Sequence, residues 1–264
     1  MSEPTFLTNI NEQGTATITM NRPELHNAFD DSFIAELTDV LREFDEDPDV
    51  RVVVLKASGK SFSSGADLNW MRRMADYSRE QNLADAEDLA ELMRTLDTLS
   101  KPTIALVQGA AYGGGVGLVA CCDIAIATAR ASFCLSEVKL GLMPAVISPY
   151  VIAAIGSRAA RRYFLSAELF NAEEAHRLCL VHQVVSDELE LAIAADRMVS
   201  QLLANSPNAM TAAKSLITAV SNRHVDDALI ADTAGRIADQ RSSLEGREGL
   251  SAFLEKRAPS WVRG

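Results

Sequence analysis

The chain has 264 residues, 48% of them hydrophobic and 23% charged, with a formal net charge of −11. That length holds a large core and those proportions suit a globular enzyme. The acidic balance, with a pI near 4.9, disfavours a broad grip on nucleic acid, which needs a basic face.

No run of about eighteen apolar residues occurs, so no membrane span is expected. Met1 to Phe6 lacks a basic n-region and an apolar core, so no signal peptide is expected either. The four cysteines are Cys121, Cys122, Cys134 and Cys179. They form no C-x-x-C pair, and Cys121 and Cys122, neighbours in an apolar helix, read as small buried thiols; a reducing compartment is expected, and the expected location is cytoplasmic. His26, His176, His182 and His224 are scattered without paired spacing, which supports no metal site.

In chain order, Thr15 to Met20 alternates polar and apolar residues and predicts a strand. Asn21-Arg-Pro-Glu-Leu-His-Asn27 breaks it. Asp30 or Asp31 then caps a helix whose Phe33, Ile34, Leu37, Val40, Leu41 and Phe44 form one face. Arg51 to Lys56 is β-branched and apolar, as in a strand covered on both faces. Ala57 to Leu68 is rich in glycine and serine, and a long polar helical stretch follows to about Leu99. Thr103 to Val107 predicts the next strand.

After it comes Gly109-Ala-Ala-Tyr-Gly-Gly-Gly-Val-Gly117, which holds five of the fourteen glycines. The run reads as a loop of bare backbone leading into a short buried helix, Leu118 to Cys122. Such a loop is either a tight packing turn or a cradle whose free N–H groups receive an anion or a developing oxyanion.

Asp123 to Thr128 and Ala131 to Leu135 predict two short strands. Helices follow over Ser148 to Ile155, Arg158 to Phe164 and Asn171 to Leu178. Val181 to Val185 is a last strand, and nothing from Glu188 onward reads as one. The division is an α/β body, 1–195, and a helical region, 196–264, whose spare apolar faces would pack on a neighbouring subunit.

Several motifs fail in context. Gly115-Val-Gly-Leu-Val-Ala120 matches a dinucleotide fingerprint, but its first glycine lies too far beyond the strand and its helix is too short. Gly59-Lys60-Ser61 ends like a P-loop, yet Val54 stands where the first glycine belongs. No G-x-S-x-G occurs. Two loops remain, Ser63-Ser-Gly-Ala-Asp-Leu68 and the Gly113–Gly115 triplet. Each follows an apolar strand and opens a helix, so two sets of amides could converge on one thioester or amide oxygen. Glu137 is a third element: walled by Phe133, Leu135, Val138 and Leu142, its carboxyl would be pushed upward. Taken alone it reads as well as a helix cap or surface carboxylate.

Asn21-Arg-Pro, Phe62-Ser-Ser-Gly-Ala-Asp-Leu68, Gly109-Ala-Ala-Tyr-Gly-Gly-Gly115, Cys122-Asp-Ile-Ala-Ile126, Glu137 with Gly141 and Pro144, and Phe253-Leu-Glu-Lys256 together resemble the enoyl-CoA hydratase/isomerase, or crotonase, superfamily. The resemblance covers essentially the whole chain. It implies an α/β spiral of β-β-α units, a C-terminal helical trimerisation region, and homotrimers often paired into hexamers. It also implies no cofactor beyond the coenzyme A of the substrate. By the same resemblance the amides of Ala66 and Gly114 form an oxyanion hole, with Ser64, Asp67, Leu68 and Pro144 at the substrate. His26 and Ala28 would cover the CoA, and Lys256 of a neighbouring subunit would approach its nucleotide end. Glu137 takes the place of the family hydratases' second catalytic glutamate; the place of the first falls on Gly117.

Within the superfamily, Gly115 to Asp123 and Gly141 to Tyr150 look most like methylglutaconyl-CoA hydratases of leucine or isoprenoid catabolism, a branch with glycine at that place. Arg72 or Arg73 would then meet the distal carboxylate of the acyl group. Isomerisation or decarboxylation on the same scaffold is the alternative expectation. An RNA-binding role, as in some relatives, is disfavoured by the acidic balance and the lack of a lysine comb between Asp67 and Met74.

Overall fold

A computed structural model of the chain describes residues 4–262. Residues 1–3, part of the stretch read as lacking a leader, and 263–264, the end of the helical region, lie outside them. The elements run β1 (Phe6–Ile10), β2 (Thr15–Met20), α1 (Asp31–Glu46), β3 (Val52–Ala57), β4 (Ser61–Ser63), α2 (Leu68–Met74) and α3 (Arg79–Thr98). Then come β5 (Thr103–Val107), β6 (Ala110–Tyr112), α4 (Gly114–Cys121), β7 (Ile124–Thr128), β8 (Ser132–Cys134), α5 (Ser148–Ser166), β9 (Phe170–Asn171), α6 (Ala172–Arg177) and β10 (Gln183–Val185). Four helices end the chain: α7 (Glu188–Leu203), α8 (Pro207–Val220), α9 (Asp227–Ser242) and α10 (Leu244–Glu255).

Two sheets result, ordered β1-β2-β3-β5-β7-β10 and β4-β6-β8-β9. Each turn of the chain adds one longer strand to the first sheet, one three-residue strand to the second, and then helix. β3 with β4, β5 with β6, and β7 with β8 repeat this step, so the predicted α/β spiral of β-β-α units is present. Strands β2, β3, β5, β7 and β10 pair in parallel, as do β4, β6 and β8. The first sheet is covered on both faces, as the apolar run of β3 requires. Val53 and Leu55 join the main core, while Val52 and Val54 face Leu191, Ala194 and Ala195 of α7.

Helix α1 starts where its cap was expected: Asp30 accepts the Phe33 amide at 2.8 Å. The structure departs from the sequence reading in four places. β1 pairs antiparallel with β2 yet is exposed over most of its length, so it lacked an apolar alternation. The long helical stretch is two helices, because Ser78 and Gln81 exchange the reciprocal bonds that start α3 afresh. The glycine run is not one loop: it contains β6, and its last four residues already belong to α4. The boundary drawn at 195/196 falls inside α7, whose first half packs on the first sheet.

Candidate active site

Strands β4, β6 and β8 lie side by side and parallel, so their carboxyl ends leave the second sheet at the same edge. In α/β proteins such an edge is where ligand crevices form. The chain beyond β4 is Ser64-Gly-Ala-Asp67, that beyond β6 is Gly113-Gly114, and that beyond β8 is Leu135-Ser-Glu137. Topology alone therefore gathers the two predicted loops and the predicted carboxylate.

The Ala66 loop is pinned by a single parallel bridge. Phe29 donates to the Gly65 carbonyl at 2.7 Å, and Asp67 donates to the Phe29 carbonyl at 2.7 Å. The bridge uses the Gly65 carbonyl and the Asp67 N–H and leaves the Ala66 N–H unused. Beneath it, the buried Asn27 side chain donates to the carbonyls of Ser58 and Ser61, both at 2.9 Å. Gly114 is the first residue of α4, so its N–H has no intrahelical acceptor. Neither amide finds an acceptor among the described residues.

Gly113 must be glycine on two counts. Its φ is +50°, in the region that side chains avoid, and a Cβ there would sit 3.2 Å from Glu137 Oε1. Its amide donates to the Cys134 carbonyl at 2.9 Å, which ties the Gly114 turn to the strand that carries Glu137.

Glu137 opens a short 3-10 turn, Glu137–Leu140. Its Oε2 is buried without a hydrogen-bond partner among the described residues. Burial pushes the carboxyl above the usual glutamate range, and a bond from its own backbone amide offsets this in part. The carboxyl, both free amides and Ser64 line one cavity of about 330 Å³. A wider compartment of about 1020 Å³ shares Gly114 and Glu137 and is walled by Leu140 to Ile147, including Pro144.

Other predicted residues lie elsewhere. Asp67 turns away to cap α2, accepting the amides of Asn69 at 2.8 Å and Trp70 at 3.1 Å. Leu68 points outward and is 69% exposed. Neither lines the cavity, which corrects the expectation for both. His26 and Ala28 also stand outside the wall, on the segment leading to the Phe29 bridge; His26 Nδ1 lies 3.1 Å from Ser61 Oγ. Lys256 ends α10 in a left-handed conformation, away from both compartments of its own chain. Arg72 bonds Asn69 and Arg73 bonds Asp31, and among the described residues no arginine lines the cavity, so the structure does not bring either to the site. Gly117 is buried in α4, and a Cβ on it would meet Ile147 Cγ2 at 2.3 Å. An apolar side chain thus occupies the direction a residue at 117 would take.

Trp70, Asn82 and Asp85 are among the wall residues that escaped the sequence reading. The indole Nε1 of Trp70 donates to Asp85 Oδ1 at 3.0 Å. Burial pushes the Asp85 carboxyl up, the Trp70 bond counters this, Asp31 and Asp88 push it further up, and Arg73 lowers it. The available signal was the i, i+3, i+4, i+7 stripe of Asn82, Asp85, Ala86 and Leu89 on α3. Among the described residues no cluster of three or more metal-ligating side chains occurs, and no helix is long and apolar enough to cross a membrane.

The model of the enoyl-CoA hydratase/isomerase family matches residues 10–264. A crystal structure of an enoyl-CoA hydratase from Shewanella pealeana superposes with a TM-score of 0.95 at 50% identity, covering 98% of this chain and 96% of that one. An enoyl-CoA hydratase structure from Mycobacterium smegmatis gives 0.93 at 34% identity, over 99% and 100%. The crotonyl-CoA hydratase of Syntrophomonas wolfei is 30% identical over 255 residues, 95% of each chain. With a family match over nearly its whole length and relatives of this identity on the same fold, the chain belongs to the enoyl-CoA hydratase/isomerase family.

Proposed function

We propose that the protein hydrates the 2,3 double bond of an enoyl-CoA, with the Ala66 and Gly114 amides holding the thioester oxygen and Glu137 as acid and base. The observation that supports this most is the convergence on one cavity of two amides and a carboxylate whose buried Oε2 has no partner, all three unpaired among the described residues at the atoms that would meet substrate. Glu137 takes a proton from water as the water oxygen bonds Cβ. The displaced π pair moves to the thioester oxygen as an enolate, where two fixed donors stabilise it. Glu137 then returns the proton to Cα, so the sum is addition of one water.

For the acyl group we infer 3-methylglutaconyl-CoA, on the resemblance carried by Gly115 to Asp123 and Gly141 to Tyr150. Since no arginine among the described residues lines the cavity, its distal carboxylate would remain hydrated at the rim, where Leu142 and Met143 are exposed. We further propose that the protein works as a trimer or a dimer of trimers in the cytoplasm.

One observation favours a second reading. Ile147 fills the space beside Gly117, so α4 supplies no second carboxylate, and a single base suits isomerisation or decarboxylation through the same enolate. Incubation with 3-methylglutaconyl-CoA, crotonyl-CoA and a 3-enoyl-CoA in heavy-oxygen water separates the two by product mass. The hydratase reading expects one labelled oxygen in the product; conversion without label would establish the second reading instead.

A further inference from the structure

Hydration places a demand on the cavity that Glu137 alone does not meet. The attacking water has two protons, and one carboxylate fixes only one of them, leaving the oxygen free to swing about that bond. Orientation of this kind accounts for a large part of catalysis. The α4 position from which a second carboxylate would come is Gly117, and Ile147 stands against it. The second acceptor therefore has to come from another wall.

The smaller compartment has two titratable side chains among its described lining residues, Glu137 and Asp85. They arrive from different elements, Glu137 from the turn after β8 and Asp85 from α3. Asp85 is held in place: Trp70, buried to 4% exposure, donates its indole N–H to Oδ1 at 3.0 Å. The other oxygen, Oδ2, takes no hydrogen bond from a described residue. One oxygen is anchored by a rigid aromatic donor and the other stays accessible, so Asp85 can accept a hydrogen bond from a water in the cavity that it lines with Glu137.

We propose that Asp85, oriented by Trp70, is the second carboxylate of this site and accepts one hydrogen bond from the water that Glu137 deprotonates. The proposal rests on the hydratase reading above. Asp85 keeps its charge throughout: Glu137 alone takes and returns the proton, the water oxygen bonds Cβ, and the enolate collapses onto Cα. Both carboxylates must then be ionised for turnover. Around Asp85 the charged groups are Asp31 at the start of α1, Arg73 on α2, Asp88 one turn along α3, and Glu137 across the site. Burial first, and then Asp31 and Asp88, hold the Asp85 carboxyl above the usual aspartate range against the Trp70 bond and Arg73.

The test is the pH dependence of kcat/KM for hydration of crotonyl-CoA and 3-methylglutaconyl-CoA. In the unmodified protein, log(kcat/KM) is expected to fall with a slope of two below both carboxyl pKa values. Asp85→Asn should lower kcat about 100-fold, as loss of a group acting on the reacting water does, leave KM within about threefold, and reduce that slope to one. Trp70→Phe keeps the carboxylate but removes the donor that favours its charged form, so one of the two steps should move to higher pH. Asp88→Asn, on the exposed side of α3, should change neither slope nor kcat. A hydrating protein whose Asp85→Asn variant keeps full kcat and the two-proton slope would overturn the role of Asp85 alone. If Asp85→Asn does not fold, an unmoved acid limb in Trp70→Phe overturns it equally. An unmodified protein that hydrates neither thioester defeats the hydratase reading itself.

Discussion

Glu137 shows how one side chain is made useful by being made uncomfortable. Its Oε2 is buried and unpartnered, and burial lifts the carboxyl, which is what a base working near neutrality needs. Glu137→Gln should lower kcat by about 10²–10⁴-fold, measured as steady-state hydration, with acyl-CoA binding retained. The stability effect has the opposite sign. A carboxyl whose folded pKa is raised costs nothing below its unfolded value, and its cost grows as pH rises through the folded value. Glu137→Gln should therefore melt above the unmodified protein at pH 7, by a few degrees on the scale of about 2–4 °C per kcal/mol. That gap should close on acidification; calorimetry at a series of pH values checks both its sign and its closure.

At the scale of elements, the site is a product of three short parallel strands and the helices that follow them. The longer strands were legible because their patterns are long enough to read: Thr15 to Met20 alternates, and Val52 to Leu55 is apolar on both faces. β4, β6 and β8 span three residues each, too few to establish a period of two, and β6 is hidden in a glycine run that looks like a loop. The two loops and Glu137 were reachable because glycine-rich turns and a carboxylate among apolar residues announce themselves locally, while Ala66 and Gly114 as the individual donors came from the family resemblance. Asp85 and Trp70 were not, because their pairing joins α2 to α3 across a helix break. Gly117 was legible only as an oddity, and the packing of α4 on α5 gives it meaning. Gly117→Ala would press its methyl onto Ile147 Cγ2, and overpacking of this kind costs about 1–3 kcal/mol. Ile147→Ala should open space for it, so the double variant should be more stable than the sum of the two single losses. Urea unfolding of the four proteins measures that coupling, and strict additivity would show that the two side chains do not compete for the same space.

For the whole molecule, the C-terminal helices leave apolar surface that one chain cannot bury. On α10, Leu244 is 88%, Phe253 81% and Leu254 77% exposed, three large apolar side chains that this chain leaves to solvent. The same helix ends in Lys256, whose left-handed backbone turns the chain back toward Arg257 and its ion pairs with Glu248 and Glu255. If α10 packs on a neighbouring copy, the solution mass should be a multiple of three of the 28.5 kDa chain, and Phe253→Asp with Leu254→Asp should reduce it. Lys256 then bears on the neighbour's substrate rather than its own. Lys256→Ala should raise KM for a CoA thioester about tenfold, the loss of one phosphate contact worth about 1.4 kcal/mol, with kcat unchanged. The same acyl group on pantetheine, which lacks the nucleotide, should show no difference between the two proteins. An equal rise for both thioesters would place the effect of Lys256 in the fold of α10 and not at the nucleotide.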